Sequence, residues 1–162
     1  NTTLVEVNDG GIYYLTNPIT ATATANNWRS FNGNTTNGTG LGAVEMHNIA
    51  WDSLSNVIVG GSQDNGTEVQ QGTNDIWTVI NGGDGGDVLI DNFTLAAANQ
   101  SIRYFSSQNL GGFSRQVFNA ANNPVGGPVG LNTGGLAGFV PQFVNPTEIN
   151  AIAPPAGQST LF

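Results

Sequence analysis

The side chains of this sequence best suited to catalysis are carboxylates that lie beside apolar runs and glycines. Glycoside hydrolysis uses two carboxyl groups about 5–10 Å apart, one of which has a raised pKa. Glu45 and Asp87 each stand at the start of an apolar run, and Asp84 lies shortly before Asp87. Glu45, Asp84 and Asp87 are therefore the candidate catalytic residues of a hydrolase.

The same region offers ligands for a cation. Ca²⁺ binds carboxylate oxygens in flexible loops, and Asp84 and Asp87 flank two glycines, while Asp64 lies in another glycine-containing loop. Calcium is the one cofactor that the sequence suggests, with Asp64, Asp84 and Asp87 as its ligands. The interpretation that the sequence favours is structural, with no cofactor, because aspartate in a turn accepts hydrogen bonds from nearby backbone amides.

Two aromatic residues are candidates for a binding surface. Tyr14 and Trp51 lie in apolar runs, and an exposed aromatic ring offers a flat apolar face to a sugar or a protein. His47 is the only histidine, and the chain has no cysteine, so a histidine-based triad with a thiol nucleophile is excluded. A binding function is thus favoured over nucleophilic catalysis.

The composition excludes several classes of partner. The chain of 162 residues carries 3 lysines and arginines against 11 acidic residues, a formal net charge of -8. Nucleic acid and anionic lipid both require clustered positive charge, so neither is expected as a partner. There is no apolar run long enough to cross a membrane, which predicts no membrane insertion. Low charge with abundant Gly, Asn and Thr is typical of turn-rich extracellular β proteins, and we expect an extracellular or cell-surface location.

The apolar residues are arranged as short strands. Runs rich in β-branched and aromatic residues recur along the chain, each flanked by Gly, Asn, Asp or Pro, and no long segment keeps a helical period. Strands at this spacing predict an all-β sandwich, barrel or propeller.

An internal repeat decides among these architectures. A short box recurs about every 45–55 residues, at positions 7–11, 62–66 (SQDNG), 107–111 (SQNLG) and 153–157. We denote the strands of each repeat A to D. Strand B runs into the box, strand C follows it, and strand D contains a tryptophan in the first two repeats. The A strands are expected at 44–51, 87–90 and 139–144.

Four antiparallel strands in each repeat of this length predict a propeller blade. The expected fold is all-β, a β-propeller-type array of about three four-stranded antiparallel blades, either open or part of a larger propeller. Residues 1–162 form one module, with blade units at roughly 1–40, 41–82, 83–135 and, in part, 136–162. Residues 120–138 lack a tryptophan strand and are expected to be a loop insertion.

The repeat resembles that of secreted Asp-box β-propellers of the BNR, sortilin- and sialidase-like type. The matching positions are 60–67 (GGSQDNGT), Trp77, 83–86 and Asp91. The full box, with tryptophan close behind the glycine, is not met. The resemblance implies a propeller fold, and its members include glycosidases, receptors, lectins and surface proteins, so it does not determine the activity.

These observations favour a non-enzymatic extracellular or cell-surface module with a structural, adhesive or ligand-binding function. Its expected partners are a glycan or a protein at the cell surface, or copies of the chain itself. The alternative is a fragment of a secreted glycoside hydrolase that acts on polysaccharide.

Overall fold

A computed structural model describes residues 3–8, 11–20, 28–31, 44–133 and 138–150, together with the backbone of 160–161. The described residues form antiparallel β-sheets joined by turns and two short 3-10 segments, Ala96–Ala98 and Gln108–Leu110. The all-β expectation is therefore confirmed. The box at 153–157, and part of the box at 7–11, lie outside the described residues.

The chain divides into two compact units, Asn1–Ala43 and Val44–Phe162. The first unit contains a three-stranded antiparallel sheet, in which the second strand is central. Leu15 of the central strand pairs with Leu4 on one side and Trp28 on the other, and it is the buried hydrophobic residue of this sheet. The strands are β1 (Thr3–Asn8), β2 (Gly11–Thr16) and β3 (Trp28–Ser30).

The second unit begins with a four-stranded antiparallel sheet whose strands follow one another in chain order. They are β4 (Met46–Asp52), β5 (Val57–Ser62), β6 (Gly66–Gln70) and β7 (Trp77–Asn81). These strands occupy the positions predicted for strands A to D of one repeat. Side chains alternate along each strand, so the sheet has two distinct faces.

A second four-stranded sheet has the same order, from β8 to β11. Its strands are β8 (Leu89–Asp91), β9 (Gln100–Ser107), β10 (Gly111–Asn119) and β11 (Val129–Gly130). The expectation of a plain loop at 120–138 was wrong in one respect, because β11 pairs with β10 there as a two-residue fourth strand.

The last predicted A strand, at 139–144, does not form in the structure. Pro141 has no backbone N–H to donate to a neighbouring strand. The next residue, Gln142, bonds to the side chain of Asn145: its amide donates to Asn145 Oδ1 at 3.0 Å, and its carbonyl accepts from Asn145 Nδ2 at 2.8 Å. These local bonds compete with strand pairing. The two-residue strands β12 (Ile149–Asn150) and β13 (Thr160–Leu161) pair with each other.

The core of the second unit lies between its two four-stranded sheets. The first four-stranded sheet contributes Val57, Val59 and Val69 to this core. They pack with Phe105 of β9 and with Val88, which directly precedes β8. Apolar side chains of this kind fill the space between two sheets packed face to face. The described strands form no closed barrel or propeller. No helix within the described residues is long and apolar enough to cross a membrane.

Candidate functional site

The turn that ends strand A is built in the same way in both four-stranded sheets. Asp52 Oδ1 accepts hydrogen bonds from the amides of Leu54 at 3.0 Å and Ser55 at 3.3 Å. Asp91 Oδ1 accepts from Phe93 at 2.8 Å and Thr94 at 2.9 Å. Each aspartate thus satisfies two backbone donors of its own turn.

Asp52 has a second role that the sequence did not predict. Its Oδ2 atom lies 2.7 Å from Nη2 of Arg103 and 3.0 Å from its Nε, and it accepts a hydrogen bond from Ser101 at 2.6 Å. Both charged side chains are 0% exposed. Burial alone raises the pKa of Asp52, but the hydrogen bonds from Ser101 and Arg103 and the positive charge outweigh it, and the pKa is lowered.

Arg103 is held by packing as well as by charge. Its guanidinium carbon lies 3.8 Å from the centre of the Phe118 ring, a cation–π contact. Its Nη2 also donates to Ser55 Oγ at 3.2 Å, while Nη1 is buried without a hydrogen-bond partner. Burial lowers the pKa of Arg103, which Asp52 opposes. The pair joins the two sheets and forms no open site, so its role is structural.

Strand register shows which positions of the two sheets correspond. In the first sheet, Trp51 directly precedes the turn aspartate Asp52 and pairs with Ile58. In the second sheet, Ile90 directly precedes the turn aspartate Asp91 and pairs with Arg103. The Ile90 and Arg103 face is the one that packs against Asp52 and the valine core. The corresponding face of the first sheet is therefore the one that carries Trp51 and Ile58.

We call this surface the Trp51 face. It consists of two cross-strand rows, and alternation places it opposite the buried valines. Ile49, Trp51 and Val79 on it are 62%, 61% and 53% exposed. An open groove of about 500 Å³ lies beside Trp51. The rows are Ile49, Gly60, Glu68 and Val79, and Trp51, Ile58, Gln70 and Trp77.

Glu68 is the charged residue of the Trp51 face, and no pattern in the sequence singled it out. Its Oε2 lies 3.2 Å from the hydroxyl of Ser62, which is fully buried. Burial raises the pKa of Glu68, and the hydrogen bond from Ser62 opposes this only in part. The face thus presents a carboxyl group that is held against the sheet.

Two of the predicted catalytic and calcium-binding carboxylates, those of Asp84 and Asp87, bond to backbone amides in the structure. Asp84 Oδ1 accepts from the amide of Asp64 at 2.8 Å, and Asp87 Oδ2 accepts from Thr147 at 2.8 Å. Glu45 is exposed, and its backbone carbonyl accepts from the Gln63 amide at 2.9 Å. The Asp84 carboxylate therefore bonds to the backbone amide of the Asp64 turn. This is the kind of structural role that the sequence predicts for aspartates in turns.

Among the described residues, no group of three or more His, Asp or Glu side chains is placed to hold a metal ion. Calcium binding by Asp64, Asp84 and Asp87 stays a prediction. Its test is thermal unfolding with added Ca²⁺ and with a chelator, because an ion that binds the folded state raises the melting temperature. An unchanged melting temperature contradicts it.

The remaining candidates are distributed over the two units of the chain. Tyr14 belongs to the first unit, where its ring centre lies 4.5 Å from that of Phe31. Trp51 belongs to the second unit and is exposed. His47 Nδ1 lies 2.7 Å from the carbonyl oxygen of Gly85, and its ring meets that of Phe143 edge-on. The Trp51 face is accordingly the best candidate for a functional surface of the second unit.

Comparison with protein-family models, with curated proteins and with solved structures finds no match for this chain.

Proposed function

We propose that this chain is a non-enzymatic module of an extracellular or cell-surface protein, in which antiparallel sheets stack as blades of a β-propeller-type array and the module acts by binding. One observation carries the proposal. The face of the second sheet that contains Ile90 and Arg103 is covered by the first sheet, whereas its counterpart on the first sheet, the Trp51 face, is exposed. A repeat that stacks through one face and leaves the next one free is suited to binding a further partner.

The Asp-box resemblance supports the radial arrangement, because such propellers are built from four-stranded antiparallel meanders in chain order. Crystallographic determination of the sheet arrangement tests it directly. In a propeller, successive sheets are related by a constant rotation about one axis. A two-layer sandwich with no such axis contradicts the proposal.

A binding function is better supported than hydrolysis. Asp84 and Asp87 each engage a backbone amide through a carboxylate oxygen, while a glycosidase needs a carboxyl group free to transfer a proton to the substrate. We therefore expect no release of reducing ends from neutral or acidic polysaccharides. Release that disappears in Asp84→Asn or Asp87→Asn would establish the hydrolase alternative instead.

The class of partner is tested on the Trp51 face. Trp51→Ala is compared with Phe93→Ala, which removes an equally exposed ring from a turn outside this face. Glycan-array binding that is lost in Trp51→Ala and kept in Phe93→Ala assigns the face to a sugar. An array without signal for any variant contradicts a sugar ligand, and the exposed apolar side chains of the face favour a protein partner.

A further inference from the structure

Ser62 is a fully buried residue whose side chain meets two hydrogen-bond acceptors. Its hydroxyl oxygen lies 3.1 Å from the backbone carbonyl oxygen of Gly66 and 3.2 Å from Oε2 of Glu68. A serine hydroxyl has one hydrogen to donate, while a carbonyl oxygen and an ionised carboxylate only accept. When Glu68 is ionised, the hydroxyl therefore cannot bond fully to both, and one acceptor goes without the hydrogen.

Protonation of Glu68 resolves this conflict. A neutral carboxyl group has an O–H of its own, which can donate to a lone pair of the Ser62 oxygen. The Ser62 hydrogen is then free for the Gly66 carbonyl, and the three groups form one chain of hydrogen bonds. Bonds in such a buried chain polarise and strengthen one another. The direction in which the Ser62 hydroxyl donates thus depends on the charge of Glu68.

Glu68 has no charged neighbour among the described residues of its own sheet face. The residues that share its cross-strand row are Ile49, Gly60 and Val79. In the adjoining turn and loop, Asp64 and Asp84 are the acidic residues, and there the Asp84 carboxylate bonds to the Asp64 amide. Burial is the main influence on the pKa of Glu68, which it raises. The buried serine hydroxyl is therefore the polar partner with which this carboxyl group shares its proton.

The two ends of the β5–β6 turn lie against the loop that leads into the second sheet. The Gly85 amide donates to the Ser62 carbonyl at 2.8 Å, and a Cβ atom at Gly85 would collide with the Gly66 carbonyl oxygen. We call this contact of Ser62, Gly66 and Gly85 the hairpin seam. A bond from the Ser62 hydroxyl to Gly66 ties together the two residues that carry the seam, so the charge of Glu68 is coupled to the contact between the sheets.

We propose that Ser62 is a proton-controlled hydrogen-bond switch: its hydroxyl donates to Gly66 when Glu68 is protonated and to Glu68 when that carboxyl group is ionised, so that acid tightens the hairpin seam. The added stability is present at low pH and is lost as the pH rises through the folded pKa of Glu68, which is raised. The switch lies within the second unit and does not depend on the proposed binding function.

Carbon-13 NMR titration of the full chain tests the switch at its own atoms. The carboxyl carbon of Glu68 should titrate with a midpoint above the usual value of about 4.3. The carbonyl carbon of Gly66 should shift with the same midpoint, because it gains the Ser62 hydrogen as Glu68 is protonated. In Ser62→Ala, Glu68 should still titrate and Gly66 should no longer follow it. A Gly66 carbon that does not titrate, or that titrates equally in Ser62→Ala, overturns the proposal.

A second variant does not depend on the folding of Ser62→Ala. Glu68→Gln cannot ionise, so the Gly66 carbonyl carbon should lose its pH dependence. Glu45→Gln is the matched control, since it removes an exposed carboxylate and should leave the Gly66 titration unchanged. A Gly66 carbon that still titrates in Glu68→Gln responds to a different group and contradicts the switch.

Hydrogen exchange measures the effect on the seam. Across the titration of Glu68, the protection of the Gly85 amide relative to its intrinsic exchange rate should fall by about two- to tenfold as the pH rises, the effect of one hydrogen bond. It should stay constant in Glu68→Gln. The Val125 amide, which bonds to the Val117 carbonyl at 2.8 Å in the second sheet, is the control and should not follow this midpoint. Protection of Gly85 that is independent of pH in wild type overturns the tightening of the seam by acid.

Discussion

Arg103 Nη2 and Asp52 Oδ2 lie 2.7 Å apart in a fully buried ion pair that joins the two four-stranded sheets of the second unit. Asp52 serves its own turn through one carboxylate oxygen and the neighbouring sheet through the other. The local turn and the sheet-to-sheet contact are therefore coupled through one side chain. Removing either partner leaves the other charge buried in the interior without a counter-charge.

Arg103→Met should destabilise the fold by about 3–5 kcal/mol, because Asp52 is left charged, buried and unpaired. The free energy of unfolding in urea measures this. Arg115→Met is the matched control, since Arg115 is exposed on the same sheet and its loss should cost no more than about 0.5 kcal/mol.

The double variant Asp52→Asn/Arg103→Met separates the buried charge from packing. The introduced asparagine keeps an oxygen for the turn amides and carries no charge, so the double variant should be more stable than Arg103→Met alone. Equal or lower stability of the double variant would show that the unpaired charge of Asp52 does not cause the destabilisation in Arg103→Met.

The same pair predicts loss of stability in acid. The pKa of Asp52 is lowered in the folded state, so this residue contributes stability at pH values above its unfolded pKa of about 3.9. That contribution is lost as the pH falls further, through the folded pKa. Wild type should therefore lose stability below about pH 4, more steeply than Asp52→Asn/Arg103→Met. Parallel acid titrations of the two proteins, followed by circular dichroism, measure the difference.

The sequence predicts some contacts of the two four-stranded sheets and not others. The difference lies in how far apart along the chain the interacting residues are. The strands β4–β7 follow from β-branched runs between turn residues, and the Asp52 turn follows from an aspartate that bonds to the amides just beyond it. These interactions are local along the chain, so they can be predicted from a single sequence.

The contacts across the sheets were not predictable in this way. Arg103 follows Asp52 by 51 residues, and no equivalent arginine marks the other repeats. The A strand expected at 139–144 does not form although the segment is apolar, because Pro141 cannot donate to a ladder. Burial of Glu68 likewise depends on the pairing of β5 with β6, which only the folded register specifies.

Glu68→Gln should stabilise the protein at neutral pH. The pKa of Glu68 is raised in the folded state, so the folded protein favours the neutral carboxyl group. The associated stability is present below the unfolded pKa of about 4.3 and is lost as the pH rises through the folded pKa. Glutamine keeps an acceptor for Ser62 without the charge, so its advantage should be present at pH 7 and absent at pH 4.

Urea unfolding at the two pH values measures this difference. Glu45→Gln is the control, because Glu45 is an exposed glutamate and its replacement should change stability by less than about 0.5 kcal/mol. A stabilisation by Glu68→Gln that is the same at both pH values would exclude charge burial as its origin.

The close approach of the two repeats at Gly61 gives the last prediction. A Cβ atom at this position would collide with the backbone carbonyl of Gly86, which leads into the second sheet. Because the obstacle is backbone, it cannot rotate away as a side chain would. Gly61→Ala should therefore lower the free energy of unfolding by about 1–3 kcal/mol or more, in the range of overpacked cores.

Gly127→Ala is the matched control, since a Cβ atom there meets nothing within 4 Å. We expect it to be neutral or slightly stabilising, because alanine reduces the conformational freedom of the unfolded chain. Urea unfolding of both variants makes the comparison. If Gly61→Ala were as stable as Gly127→Ala, the two sheets would not approach as closely as the structure shows, and the stacking on which the binding proposal rests would lose its basis.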